Sequence, residues 1–255
     1  MAVAPWRDYG YLLHSRPFGE KGRYGEILSA RYGRIGVLLH SMARRRFSHA
    51  WFAPFYPLWF CVGASGSLHV VRELEPAGSP HQLTHLRRYC GLYVNELIMK
   101  LTMREQPGSA LYELYADVLQ VLSVPNSDVE PALRYFETNL LRIMGYAMPL
   151  SCEAETDIPL QAQSWYRYVP LSGAHKIDHP QKNQEPWIVS GGALLSLAQI
   201  SPTFLPIVHR YEVKQLMRAM MNFHLDGKVL HSVKLYRSFL KMTQQAPRSP
   251  SNERA

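Results

Sequence analysis

The densest set of chemically useful side chains lies near the start of the chain. Arg44, Arg45 and Arg46 are consecutive, and Arg16, Lys21, Arg23, Arg31 and Arg34 precede them. Cations fixed on neighbouring loops are what a phosphate backbone requires: they neutralise phosphates and release counterions, so binding depends strongly on salt and little on base sequence. Phe18, Tyr24, Tyr32 and Phe47 are interleaved with them, and exposed rings among cations let unpaired bases stack. The same residues admit a plainer reading, in which the arginines form a solvated loop and the rings fill a core. The sequence alone leaves both open.

Patterns for covalent chemistry do not assemble. Gly227-Lys228 lacks the preceding glycine that a phosphate-cradling loop needs. Ser65, in Gly63-Ala64-Ser65-Gly66, falls one residue short of a nucleophile elbow and reads as a turn between strands. His209, His224 and His231 are not spaced to share one helical face. Glu153, Glu155 and Asp157 are close together, as a metal-dependent nuclease would need, but no second carboxylate cluster completes a two-metal site, and a solvated acidic loop is the commoner reading. Cys61, Cys90 and Cys152 contain no C-x-x-C pair, and reduced thiols in the cytoplasm account for an odd number. The expectation is a protein that is not an enzyme and uses no cofactor or metal.

The elements that must position these groups change character along the chain. Tyr9–His14, Tyr24–Ala30, Arg34–His40, Phe55–Val62 and Leu68–Leu74 read as short strands punctuated by Gly, Pro and Ser. Five strands in so short a span point to a small barrel, and the OB-fold is the five-stranded barrel that most often binds nucleic acid. Pro76-Ala77-Gly78-Ser79-Pro80 reads as a linker. Helical periodicity then begins at Leu83 and runs to about Glu105, followed by Ala110–Leu122 and Val129–Met144, with Ser109 and Ser127 or Asp128 as candidate caps. Residues 146–190 read as irregular, with a strand candidate at Trp165–Tyr168. Helices resume at about Gly192–Gln199, after Pro206 to about Leu225, and at Ser232–Met242. The fold class expected is α+β: an OB-fold domain over 1–80, an α-helical domain over 81–242 with an irregular insertion, and a flexible tail over 243–255.

Charge is distributed to match. The chain of 255 residues carries a formal net charge of +8. Residues 1–50 hold nine Lys or Arg against three Asp or Glu, residues 51–199 hold ten against fourteen, and residues 200–255 hold nine against three. A polyanion is drawn to the two ends, while a different partner can use the middle. Trp6, Arg7 and Asp8 interrupt any leader-like apolar run, and the apolar stretch Ala50–Val62 is too short to cross a bilayer. A soluble, cytoplasmic, nucleoid-associated protein with no membrane partner is expected.

One ordered set of motifs is familiar. His14-Ser15-Arg16-Pro17-Phe18-Gly19-Glu20 is followed by Tyr32-Gly33-Arg34-Ile35-Gly36, Ala43-Arg44-Arg45-Arg46 and Pro54-Phe55-Tyr56-Pro57-Leu58. Then come Gly91-Leu92-Tyr93-Val94-Asn95-Glu96-Leu97, Glu130-Pro131-Ala132-Leu133-Arg134 and Asp226-Gly227-Lys228-Val229-Leu230-His231-Ser232. In this order, to about residue 242, the chain resembles the RecO family of DNA repair proteins. The resemblance implies an N-terminal OB-fold, a C-terminal helical domain, binding of single- and double-stranded DNA, and annealing of complementary strands. It implies partnership with RecR, loading of the recombinase RecA, and capture of the acidic C-terminal tail of single-strand-binding protein. In that tail site Arg134 would hold the terminal carboxylate. The chain departs from the family pattern at Tyr135 and Val233, where many relatives carry Arg, although Lys234 lies beside the second position. Of the four cysteines that bind zinc in some relatives, Cys152 alone is present, so no structural zinc is expected. A module for structured RNA is the alternative, because OB-folds serve both polymers.

Overall fold

The computed structural model describes residues 4–20, 22–39, 53–65, 68–178 and 185–245. Strands β1 (Trp6–Phe18), β2 (Gly22–Ser29), β3 (Gly33–Leu39), β4 (Pro57–Ser65) and β5 (Leu68–Pro76) close into a barrel of order β1-β2-β3-β5-β4. β1 pairs with both β2 and β4, and β3 meets β5 in the barrel's parallel pairing. This is the OB-fold order, and it leaves no open sheet edge.

Period-two alternation along β1 serves two cores. Leu12 points into the barrel with Ile27, Ile35, Val37, Phe60 and Val62. Tyr11 and Leu13 point outward, and with Leu28 they join the core of the helices. A register shift between Leu12 and His14 re-aims the rest of the strand.

Helices α1 (His85–Leu101), α2 (Ala110–Ser123) and α3 (Val129–Ile143) precede a small sheet; α4 (Gly191–Ala198), α5 (Arg210–Leu225) and α6 (His231–Gln245) follow it. Asp128, rather than Ser127, caps α3 by accepting from Glu130 N–H, while Ser109 makes no side-chain cap to α2. The buried Asn95 amide donates to Leu13 O at 2.9 Å and accepts from Tyr115 Oη at 2.7 Å, so a satisfied polar chain crosses from barrel to helices. The segment 77–83 is largely exposed but tied down at three points: Ala77 N–H donates to Pro57 O, His81 N–H to Phe55 O, and Leu83 is buried.

Two local expectations differ from what is observed. Helix α1 stops at Leu101, short of Glu105, because Thr102 is extended and the chain runs alongside β3. Glu105 N–H donates to Arg34 O and Gly108 N–H to Arg31 O. Gly33, at φ +65°, sits so close to this segment that a Cβ there would lie 2.2 Å from Gln106 O. The region 146–190 is also more ordered than its prolines imply. It holds an antiparallel sheet of order β7-β6-β8: β6 (Trp165–Val169), β7 (Gly173–Ile177) and β8 (Ile188–Ser190). Tyr166 and Tyr168 alternate inward while Trp165, Arg167 and Val169 face out, which is the pattern of a half-buried strand.

Candidate functional site

The β1–β2 face of the barrel gathers cations around one ring. Arg16 sits opposite Tyr24 in the strand register, exposed, with its guanidinium carbon 5.3 Å from the Tyr24 ring centre. Tyr24 is buried and donates to Glu26 Oε1 at 2.7 Å. Burial, reinforced by that carboxylate, pushes its phenol up to about 12. Arg23 is half-buried and donates to Ser15 Oγ at 2.7 Å. Arg34 turns inward: it pairs with the buried Glu26 at 3.0 Å and donates to Thr102 O at 2.6 Å. Its charge is therefore used within the molecule. Arg31 is exposed and pairs with Asp8 at 3.2 Å. Lys21, Arg44, Arg45, Arg46 and Phe47 lie outside the described residues.

The structure also sorts the rings. Tyr24 is covered, Tyr32 packs against Trp6 at 4.2 Å between centroids, and Phe18 is 43% exposed. A further cation joins from outside the barrel. Arg104, in the connection between α1 and α2, pairs with Glu26 and lies over Tyr24. Its contact spans 78 residues of sequence, so no local spacing would reveal it.

A second surface lies in the helical body. A groove of about 620 Å³ runs between α1, α3, α5 and α6. Leu86, Tyr89, Tyr93, Leu133, Met221 and Leu225 supply apolar walls, and Arg134, Lys214, Arg218, Lys228, Lys234 and Arg237 line it with cations against the single acid Glu130. The basic stretch over residues 200–255 signals all of these cations but Arg134, yet it does not show that α5 and α6 bring them to one groove. Val233 is part of the lining, and Tyr135 is half-buried on α3.

Arg134 is itself buried, 2.9 Å from Glu137, the residue one turn further along α3. Tyr93 Oη donates to Glu137 at 2.6 Å. Burial opposes the Arg134 charge, but Glu137 together with Tyr93 and Glu130 holds the guanidinium protonated above its ordinary range. The Nε of Arg134 and one oxygen of Glu130 are buried without a hydrogen-bond partner among the described residues, although the two atoms lie 3.5 Å apart. Lys214 pairs with the other oxygen of Glu130 at 3.0 Å.

The remaining candidates do not converge. Glu153 accepts from Thr156, Glu155 faces His175 at 3.3 Å, and no group of three His, Cys, Asp or Glu is placed to hold a metal among the described residues. Cys61 and Cys90 are buried, and burial pushes the Cys90 thiol up to about 11. No helix among the described residues is long and apolar enough to cross a membrane.

The fold places the chain among proteins built on an OB-fold barrel with an appended helical body. Residues 84–233 match the family described as Recombination protein O C terminal. The chain is 36% identical to DNA repair protein RecO of Halorhodospira halophila over 231 residues, 89% of this chain and 95% of that one. It is 34% identical to DNA repair protein RecO of Methylococcus capsulatus over 232 residues, 91% of this chain and 93% of that one. Identity to DNA repair protein RecO of Coxiella burnetii is 30% over 229 residues, 88% of this chain and 95% of that one. The chain belongs to the RecO family.

Proposed function

We propose that the protein is a mediator of DNA repair and recombination that works by binding rather than by covalent chemistry. The barrel binds single- and double-stranded DNA through its guanidiniums and speeds annealing by lowering repulsion between two strands. The groove in the helical body captures the acidic, apolar tail of single-strand-binding protein. With RecR, the protein then helps RecA replace single-strand-binding protein on coated DNA. Local concentration supplies the advantage, since a tethered barrel meets the coated strand far more often than a free one.

The observation that carries this reading is the match to RecO proteins over about nine-tenths of the chain, barrel and helical body together. Charge supports it at both surfaces. On the barrel, Arg16 and Arg104 stand exposed beside Tyr24. In the groove, apolar walls with a rim of cations, Arg134 among the lining residues, suit a peptide ending in acidic and apolar residues. The test is titration of the whole protein with labelled oligonucleotides over a range of salt, and with the tail peptide by calorimetry. Affinity that falls steeply with salt is expected for DNA, and micromolar or tighter binding for the peptide. Salt-independent DNA binding would remove the barrel from the scheme, and absence of peptide heat would remove the groove.

A further inference from the structure

Arg104 extends the cationic face of the barrel onto the helical body. Its guanidinium carbon lies 5.8 Å from the centre of the Tyr24 ring, and that of Arg16 lies 5.3 Å from the same centre. Phe18 is the neighbouring ring, 6.5 Å from Tyr24 between centroids. Strand register explains why Phe18 is uncovered: its partner across the pair is Gly22, which has no side chain to lie on it. The cluster also carries surplus positive charge. Arg34 and Arg104 share the one carboxylate of Glu26, and no carboxylate among the described residues lies within ion-pair distance of Arg16. Arg34 is almost wholly enclosed, whereas the Arg104 side chain is 51% exposed. Next in sequence, Glu20 and Lys21 carry opposite formal charges.

We propose that Phe18, Arg16 and Arg104 form one subsite for an unpaired nucleotide, with the base stacked on Phe18 and the flanking phosphates on the two guanidiniums. The inference rests on the nucleic-acid reading above and assigns it a substrate form. An exposed ring next to a tyrosine that two guanidiniums flank matches the face of a planar base with phosphate nearby. Along a duplex the base faces stay stacked on one another, so this ring finds none to stack on away from the ends. The subsite therefore distinguishes single strands from duplex, and it draws the strand path across the seam from barrel to the α1–α2 connection.

The experiment uses the full chain with fluorescein-labelled oligo(dT) and a blunt duplex of the same length, by anisotropy over a potassium chloride series. Phe18→Ala should weaken oligo(dT) binding about tenfold with an unchanged salt slope, and leave the duplex within about twofold. Phe18→Trp should restore the affinity, with its indole emission quenched on binding. Arg104→Gln should flatten the single-strand salt slope by about 0.7. Thermal melting of each variant monitors folding, and exposure of Phe18 keeps its replacement mild. Unchanged oligo(dT) affinity in Phe18→Ala, or equal loss on both forms of DNA, would overturn the subsite while leaving DNA binding itself intact. A wild-type protein that binds neither oligonucleotide would overturn both this inference and the reading beneath it.

Discussion

At the residue scale, Arg134 has two duties that mutation can separate. It neutralises the buried Glu137 and it lines the groove. Arg134→Ala should therefore lower stability by about 3–5 kcal/mol, because the buried Glu137 loses its cation and keeps only the Tyr93 hydroxyl. Burial already pushes the Glu137 carboxyl upward, with Arg134 pulling it back. The double variant Arg134→Met with Glu137→Met should recover most of that stability in a denaturant titration, yet bind the tail peptide at least tenfold more weakly by calorimetry. Wild-type peptide affinity in the stable double variant would confine Arg134 to a structural part. Arg134 is legible in its motif, but the burial of its Glu137 pairing is not, because an i, i+3 pair on a helix reads equally as a surface contact. Arg34 reads in the sequence as one of the DNA-facing cations, whereas the approach of Thr102 and Glu26 turns that side chain inward.

At the element scale, α6 is held by a cap from another helix. Glu96 on α1 accepts from His231 N–H at 2.8 Å, from Ser232 N–H at 2.8 Å and from Ser232 Oγ at 2.7 Å. Burial would raise its carboxyl, but the donors from Ser232 and His231 hold it below its ordinary 4.5. A lowered folded-state value means the contribution is present above that pH and is lost as the pH falls through the folded value. Glu96→Ala should cost about 1–2 kcal/mol at pH 7, and the gap between variant and wild-type melting temperatures should narrow as the pH falls below the ordinary carboxylate value. Persistence of the full gap at pH 3 would remove the carboxylate from the account of α6. The seam between barrel and helices makes a second prediction. Gly33→Ala forces a Cβ toward Gln106 O at positive φ and should destabilise by more than about 1 kcal/mol in denaturant unfolding. Strands and helices were legible because their periods differ, two against 3.6. The end of α1 was not, since Thr102–Gly108 obeys a long-range pairing with β3 that no local pattern encodes. Nor was the β6–β8 sheet, except at Trp165–Tyr168, because its strands are short and lie among prolines.

At the scale of the whole molecule, charge and architecture agree. The basic ends of the sequence become a barrel face and the lining of the groove, two surfaces suited to different anions. Arg44, Arg45 and Arg46 carry the strongest signal in the sequence. Replacing all three with Ala should weaken oligo(dT) binding and reduce its salt slope by about two, as read from anisotropy titrations; an unchanged slope would place these arginines off the nucleic-acid path. The central claim is that the chain brings complementary strands together through its own cations. It is tested most directly by mixing complementary oligonucleotides, bare or coated with single-strand-binding protein, with catalytic amounts of the protein and following duplex formation by fluorescence transfer. Faster annealing on both substrates, suppressed by high salt, and lost on the coated strands alone when the tail of single-strand-binding protein is deleted, is the expected result. Annealing no faster than the spontaneous rate at low salt would contradict it.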